Sequence, residues 1–118
     1  MRVRAALGRF GEQAAAAWLE RAGWVILCRN WRCPSGEIDI VARDGSTIVF
    51  VEVKTRSSVA FGNPAEAVDA GKARRIRAVA AQWLAQRDAA TFTEVRFDVV
   101  SVLRGADGLS ITRVEAAF

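Results

Sequence analysis

Apolar residues along this chain keep two rhythms. Leu7, Phe10, Ala14, Trp18 and Ala22 recur at helical spacing and Gly23 follows, which predicts a helix over Leu7–Ala22. Strand patterning then runs from Trp24 to Arg32, ahead of a Pro34-Ser35-Gly36 turn. Glu37–Arg43 and Thr47–Thr55 are strongly β-patterned and flank Asp44-Gly45-Ser46, a hairpin signal. Ser57–Gly62 reads as a loop. Asn63-Pro64-Ala65-Glu66 offers an N-cap, a first-turn proline and a capping-box glutamate, opening a helical region that reaches about Arg87 with a break near Gly71. Glu94–Leu103 and Leu109–Val114 read as strands around a Gly105–Gly108 turn. The order is α-β-β-β-α-β-β. A helical crossover between the third and fourth strands makes that pair parallel and right-handed, so the fold class is α/β with a mixed central sheet flanked by helices.

The hairpin carries the most informative polar positions. Alternation puts Ile38, Ile40 and Ala42 on one face of its first strand and Glu37, Asp39 and Val41 on the other. On its second strand Val49, Val51 and Val53 oppose Ile48, Phe50, Glu52 and Lys54. Keeping the apolar faces together requires paired residue numbers with an odd sum. A turn on Gly45-Ser46 sets Asp39 across from Glu52 and Glu37 across from Lys54; a turn on Asp44-Gly45 sets Glu37 across from Glu52. Either register gathers three carboxylates and one ammonium at one end of a face whose other end, Val41, Ile48 and Phe50, is apolar. Facing like charges destabilise a sheet. A divalent cation turns that repulsion into coordination, and hard oxygen ligands without His or Cys suit Mg²⁺ or Mn²⁺. The competing reading is an ordinary ion network with Lys54 and Arg56. Glu12, on the border of the first helix's apolar arc, is either a surface residue or a further ligand.

Composition narrows the chemistry. The 118 residues allow one domain, 1–118, large enough to fold without a metal or disulfide staple. No apolar run is long enough for a membrane span and no signal-peptide core follows Arg2 and Arg4, so the expected location is the cytoplasm. There is no histidine, which removes His-based nucleophile pairs, His general bases and His-ligated zinc. Cys28 and Cys33 are too few for a zinc shell and read as reduced thiols. Net charge is +4, from 17 cations and 13 anions. Only two cations are lysines, Lys54 and Lys72, in a chain that otherwise uses arginine. Lys72 shares a helical stripe with Ile76, Val79 and Trp83, so it points inward or along the sheet while Arg74 and Arg77 point away. The cluster Lys72, Arg74, Arg75, Arg77 is the footprint expected of either a phosphate-binding surface or a solvated helix face. Arg56, Ser57, Arg74 and Arg77 are the candidate nucleic-acid contacts. Phe61 reads equally as a DNA contact or a core plug, and Trp24 and Trp31 read as core or interface residues.

Asp39, then thirteen positions on Glu52-x-Lys54, on a hairpin behind a helix containing Glu12, resembles the PD-(D/E)XK nuclease superfamily. Gly8-Arg9-Phe10-Gly11-Glu12, Gly36-Glu37-Ile38-Asp39-Ile40-Val41-Ala42-Arg43, Val49-Phe50-Val51-Glu52-Val53-Lys54-Thr55-Arg56 and Arg96-Phe97-Asp98-Val99-Val100 look like the YraN family, a bacterial group related to archaeal Holliday-junction resolvases. The resemblance implies a restriction-endonuclease-like core and Mg²⁺- or Mn²⁺-dependent phosphodiester hydrolysis in branched or structured DNA, in repair or recombination. It implies that Asp39, Glu52 and the main-chain carbonyl of Val53 hold the metal, that Lys54 orients the attacking water, and that Glu12 matches the helix-one glutamate of the resolvases. Glu37 and Lys72 would support the ligands from behind or, for Glu37, join them. Residue 38 is Ile where the superfamily name has Pro. Cutting both strands of a junction makes a two-fold homodimer natural, and a partner protein would recruit so small a nuclease. The alternative is a nuclease-like module that binds nucleic acid or a partner protein without useful catalysis.

Overall fold

The computed structural model describes residues 2–57, 68–87 and 94–118, with side chains from Leu7 onward. The loop expected at Ser57–Gly62, beyond Ser57 itself, the helix start expected at Asn63-Pro64, and Phe61 lie outside the described residues. The elements are α1 (Arg2–Arg21), β1 (Val25–Cys33), β2 (Gly36–Asp44), β3 (Thr47–Arg56), α2 (Ala70–Ala85), β4 (Glu94–Gly105) and β5 (Gly108–Val114). The strands form one sheet in the order β1-β2-β3-β4-β5, antiparallel except for the parallel β3–β4 pair. The expected element order and mixed sheet are those observed. Among the described residues no helix is long and apolar enough to cross a membrane.

Gly45-Ser46 is the hairpin turn. Asp44 pairs with Thr47 and Ile40 with Val51, and Gly45 takes the positive φ of 63° that the first turn position favours. Val49, Val51, Ile40 and Ala42 pack with Val100 and Val102 under Ala15, Ala16 and Leu19 of α1. Val41, Ile48, Phe50 and Phe97 meet Ile76, Val79, Ala80 and Trp83 of α2 on the opposite face. Helices therefore cover both faces of the sheet, and each strand of the hairpin contributes to both cores.

Three local departures from the expected pattern bear on the site. First, α1 starts before Leu7 and turns Gly11, Ala15, Ala16 and Leu19 to the sheet, so Phe10 and Ala22 are exposed rather than central. Small residues make that close approach feasible: a Cβ on Gly11 would sit 1.7 Å from Thr55 Oγ1. Second, Ile38 and Ile40 lie in opposite cores although alternation puts them on one face. Across from them Cys28 and Trp31, three residues apart, both pack on the α2 side. The β1–β2 ladder passes from Arg29↔Ile40 to Trp31↔Ile38, leaving Asn30 and Asp39 between, and Asn30 has a left-handed φ of 52°. One out-of-step residue on each strand thus inverts the faces. Third, the β2–β3 ladder ends at Ile40↔Val51. Beyond it Glu37 pairs with Arg32 of β1, at 2.5 Å, instead of Lys54.

The fit of α1 on β3 gives a test. Alanine is worth about 1 kcal/mol more than glycine inside a helix, and Gly8, with no atom within 4 Å of its would-be Cβ, has room for it. Gly8→Ala is expected to raise the urea midpoint. Gly11→Ala is expected to lower it, because overpacking costs about 1–3 kcal/mol and outweighs the helical gain.

Candidate metal centre

The site lies where β2 and β3 part. Its first carboxylate, Glu12, comes from the half-buried border of α1, one residue after the Gly11–Thr55 contact that sets the helix height above β3. Glu37 and Asp39 come from β2. One carboxylate oxygen from each of these three residues lies within 4.8 Å of the others. An octahedral Mg²⁺ with ligands at about 2.1 Å sets adjacent oxygens about 3.0 Å apart and opposite ones about 4.2 Å, so the three side chains would draw together around such an ion. All three are hard oxygen donors, the type Mg²⁺ and Mn²⁺ prefer over His or Cys.

Asp39 is strongly perturbed. Burial pushes its carboxyl up from 3.8 to about 7, and the charge of Glu52 adds to the rise; a hydrogen bond from the Val53 N–H opposes it, and Glu12 and Glu37 raise it further. That bond, 2.8 Å to Asp39 Oδ2, replaces the strand ladder where the strands separate and fixes the carboxylate in place. The remaining polar partners come from outside the group. Asn30 donates its side-chain amide to Glu12 Oε1, and Arg32 donates to Glu37.

Glu52 stands beside this group rather than in it. It lies on the α2 side of β3, half-buried, and its Oε1 is 2.7 Å from Lys72 Nζ. Asp69 caps α2 by accepting from the Lys72 backbone N–H at 2.8 Å, which fixes the first helical turn and the start of the lysine side chain. Lys72 thus reaches the sheet as its helical stripe predicts. Lys54 is exposed at the rim. Val53 enters through its N–H to Asp39, and its side chain packs on the α1-side core.

The expected nucleic-acid contacts are scattered. Arg56 ends β3 half-buried, Ser57 follows it exposed, and Arg74 is exposed on α2. Arg77 does not simply point away from the fold: its guanidinium lies 4.5 Å from the centre of the Phe97 ring and donates to the Phe118 carbonyl at 2.9 Å. An aromatic face and a carbonyl next to the helix hold it against the C-terminal segment. Trp24 is buried, and Trp31 packs on the α2-side core. Cys28 and Cys33 are free, half-buried thiols beside the same core.

Asn30 is the contributor that the sequence reading did not include; its signal is a residue tolerant of left-handed backbone in the middle of a strand pattern.

A helix-covered mixed sheet with a carboxylate cluster at the splayed end of its central hairpin defines an α/β protein with a candidate divalent-cation centre. The chain belongs to the UPF0102 family, described as an uncharacterised protein family, whose model matches residues 11–102; this is the group called YraN above. Relatives named UPF0102 protein include one from Beutenbergia cavernae, 57% identical over 98% of this chain and 95% of the relative. Others are from Acidothermus cellulolyticus, 52% identical over 98% and 96%, and Frankia alni, 52% identical over 100% and 98%.

Proposed function

We propose that this chain is a metal-dependent endonuclease of the PD-(D/E)XK type that hydrolyses phosphodiester bonds in branched or structured DNA, in cytoplasmic DNA repair or recombination. The observation that carries the reading is the gathering of Glu12, Glu37 and half-buried Asp39, one oxygen of each within 4.8 Å of the others, with the Asp39 carboxyl pushed up to about 7. A structural ion network pairs its charges. Here Glu37 and Glu52 have Arg32 and Lys72, but Asp39 at the centre receives only the Val53 N–H among the described residues, and the strain of packing carboxylates together is what a divalent ion relieves.

Asp39, Glu12 and Glu37 would hold Mg²⁺ or Mn²⁺, with Glu52 and the Val53 carbonyl adjoining from β3. When bound, such an ion polarises a phosphoryl oxygen and lowers the pKa of a bound water. The chain's own groups do the rest. Lys54, at the exposed rim, offers a compact ammonium to the incoming phosphate and to the charge that builds on it. Lys72 neutralises Glu52 from α2 and keeps it close to Asp39 without a bare pair of facing negative charges. Arg74, with Arg56 and Ser57 at the end of β3, supplies sequence-independent backbone contacts. A two-fold homodimer presents two such sites to the two strands of a junction.

Cleavage of a labelled four-way junction and a matched duplex, with Mn²⁺ titration of the same proteins, tests the reading. Asp39→Asn and Glu52→Gln are each expected to cut at least about 100-fold more slowly than wild type. Their DNA affinity stays equal or rises, because a negative charge facing phosphate is gone. Undiminished cutting in either variant refutes the assignment. The closed Glu52–Lys72 pair favours one second reading, a binding module of the same fold; Mn²⁺ binding with no cutting of any DNA supports it.

A further inference from the structure

We infer that Asn30 is a positioning residue of this centre, acting through Glu12; the inference rests on the metal-centre reading above. Three observations meet at this residue. Its side-chain amide donates to Glu12 Oε1, tying the edge strand to a carboxylate carried by α1. Its backbone is one of two left-handed non-glycine positions among the described residues. It also lies between the ladder pairs Arg29↔Ile40 and Trp31↔Ile38, facing Asp39, where both strands change the face they present.

These observations define two separable jobs. The left-handed backbone lets β1 follow the inversion of β2, so that Asp39 comes within reach of Glu12 while Ile38 stays in the α2-side core. Asparagine accepts that conformation at little cost. The amide does something different. A glutamate on a helix border has free rotamers, and the neighbouring carboxylates of Glu37 and Asp39 repel it outward. A neutral donor on one oxygen holds the carboxylate beside the group, without adding the positive charge that would compete with a metal. Partners that orient a ligand in this way typically matter about 10–100-fold in metal affinity.

Glycine separates the jobs, because it adopts a φ of 52° without strain and has no amide. Mn²⁺ affinity is measured by calorimetry on wild type, Asn30→Gly, Glu12→Gln and the double variant, with circular dichroism and thermal melts on each. The expected result is a fold and melting temperature close to wild type for Asn30→Gly and an affinity about tenfold weaker. In the Glu12→Gln background Asn30→Gly has no further effect, since the amide acts only through that carboxylate. Unchanged affinity in Asn30→Gly overturns the inference while leaving the metal centre standing. So does an equal loss in both backgrounds, which identifies a general structural role. Absence of Mn²⁺ binding by wild type at millimolar concentration overturns the metal-centre reading, and this inference with it.

Discussion

At pH 8 without divalent metal, Asp39→Asn is expected to unfold at a higher temperature than the wild type. The Asp39 carboxyl titrates near 3.8 in the unfolded chain and at about 7 in the folded one. Between those values the folded state binds more protons than the unfolded state, so stability falls as pH rises through the window. Each unit is worth about 1.4 kcal/mol, and the full rise from 3.8 to about 7 amounts to about 4 kcal/mol by pH 8. Asparagine removes this burden and keeps an oxygen for the Val53 N–H. Below pH 4 both proteins carry a neutral side chain there and their stabilities converge. Melts from pH 4 to 8 check the sign: a wild type whose stability rises with pH across that interval, relative to Asp39→Asn, contradicts the burial of this carboxyl. Mn²⁺ at pH 8 is expected to raise the wild-type melting temperature and to leave that of Asp39→Asn nearly unchanged.

Asp98→Ala is expected to destabilise the protein by about 3–5 kcal/mol, the usual result of stripping one partner from a buried ion pair. Asp98 is fully buried in β4. It accepts from Arg96 at 2.9 and 3.0 Å, from Arg113 of β5 at 2.8 Å and from the Ala116 backbone at 3.0 Å. Both guanidiniums lie near the Trp24 ring, at 5.7 and 5.0 Å, so the network ties the β4–β5 pair to the start of β1. It also fixes the chain beyond β5, where the Ala117 N–H donates to the Phe97 carbonyl at 2.8 Å. Glu115 touches the same arginines from a position 60% exposed, and Glu115→Ala is expected to cost less than about 1 kcal/mol. Urea unfolding of both variants decides it; equal midpoints show that the burial of Asp98 is not what holds the network together.

Most of the architecture was legible because local chemistry and periodicity agreed. The apolar faces demand an odd sum, which leaves a turn on Gly45-Ser46 or on Asp44-Gly45; the structure takes the first, with Asp44 paired to Thr47. Lys72 could be placed toward the sheet because Ile76, Val79 and Trp83 mark its stripe. The site was legible in membership more than in arrangement. Strict alternation assigns Asp39 to one face with Glu52, but a backbone inversion at Asn30 and Asp39 depends on two strands moving together, and no period of either strand encodes it. The face that α1 turns to the sheet has a similar cause. Its large residues mark a helical face, yet the surface turned to the sheet is the small one, since close packing on Thr55 needs the missing Cβ of Gly11. Glu37 was assigned to Lys54 by extending a ladder that stops earlier, where Arg32 on the other side is nearer.

The irregularity of β1 has a bearing on solubility. This strand forms one edge of the sheet, and Val25 and Leu27 are exposed along it, 45% and 40%. A flat apolar edge invites strand addition by a second molecule. Here the register shifts between Ile26 and Cys28, and the backbone turns left-handed at Asn30. Arg29 and Arg32 stand exposed beside that kink. Bent and positively charged, the edge offers an incoming strand neither a straight run of hydrogen-bonding groups nor a neutral surface, so the bend beside the carboxylates also protects the molecule against edge-to-edge aggregation.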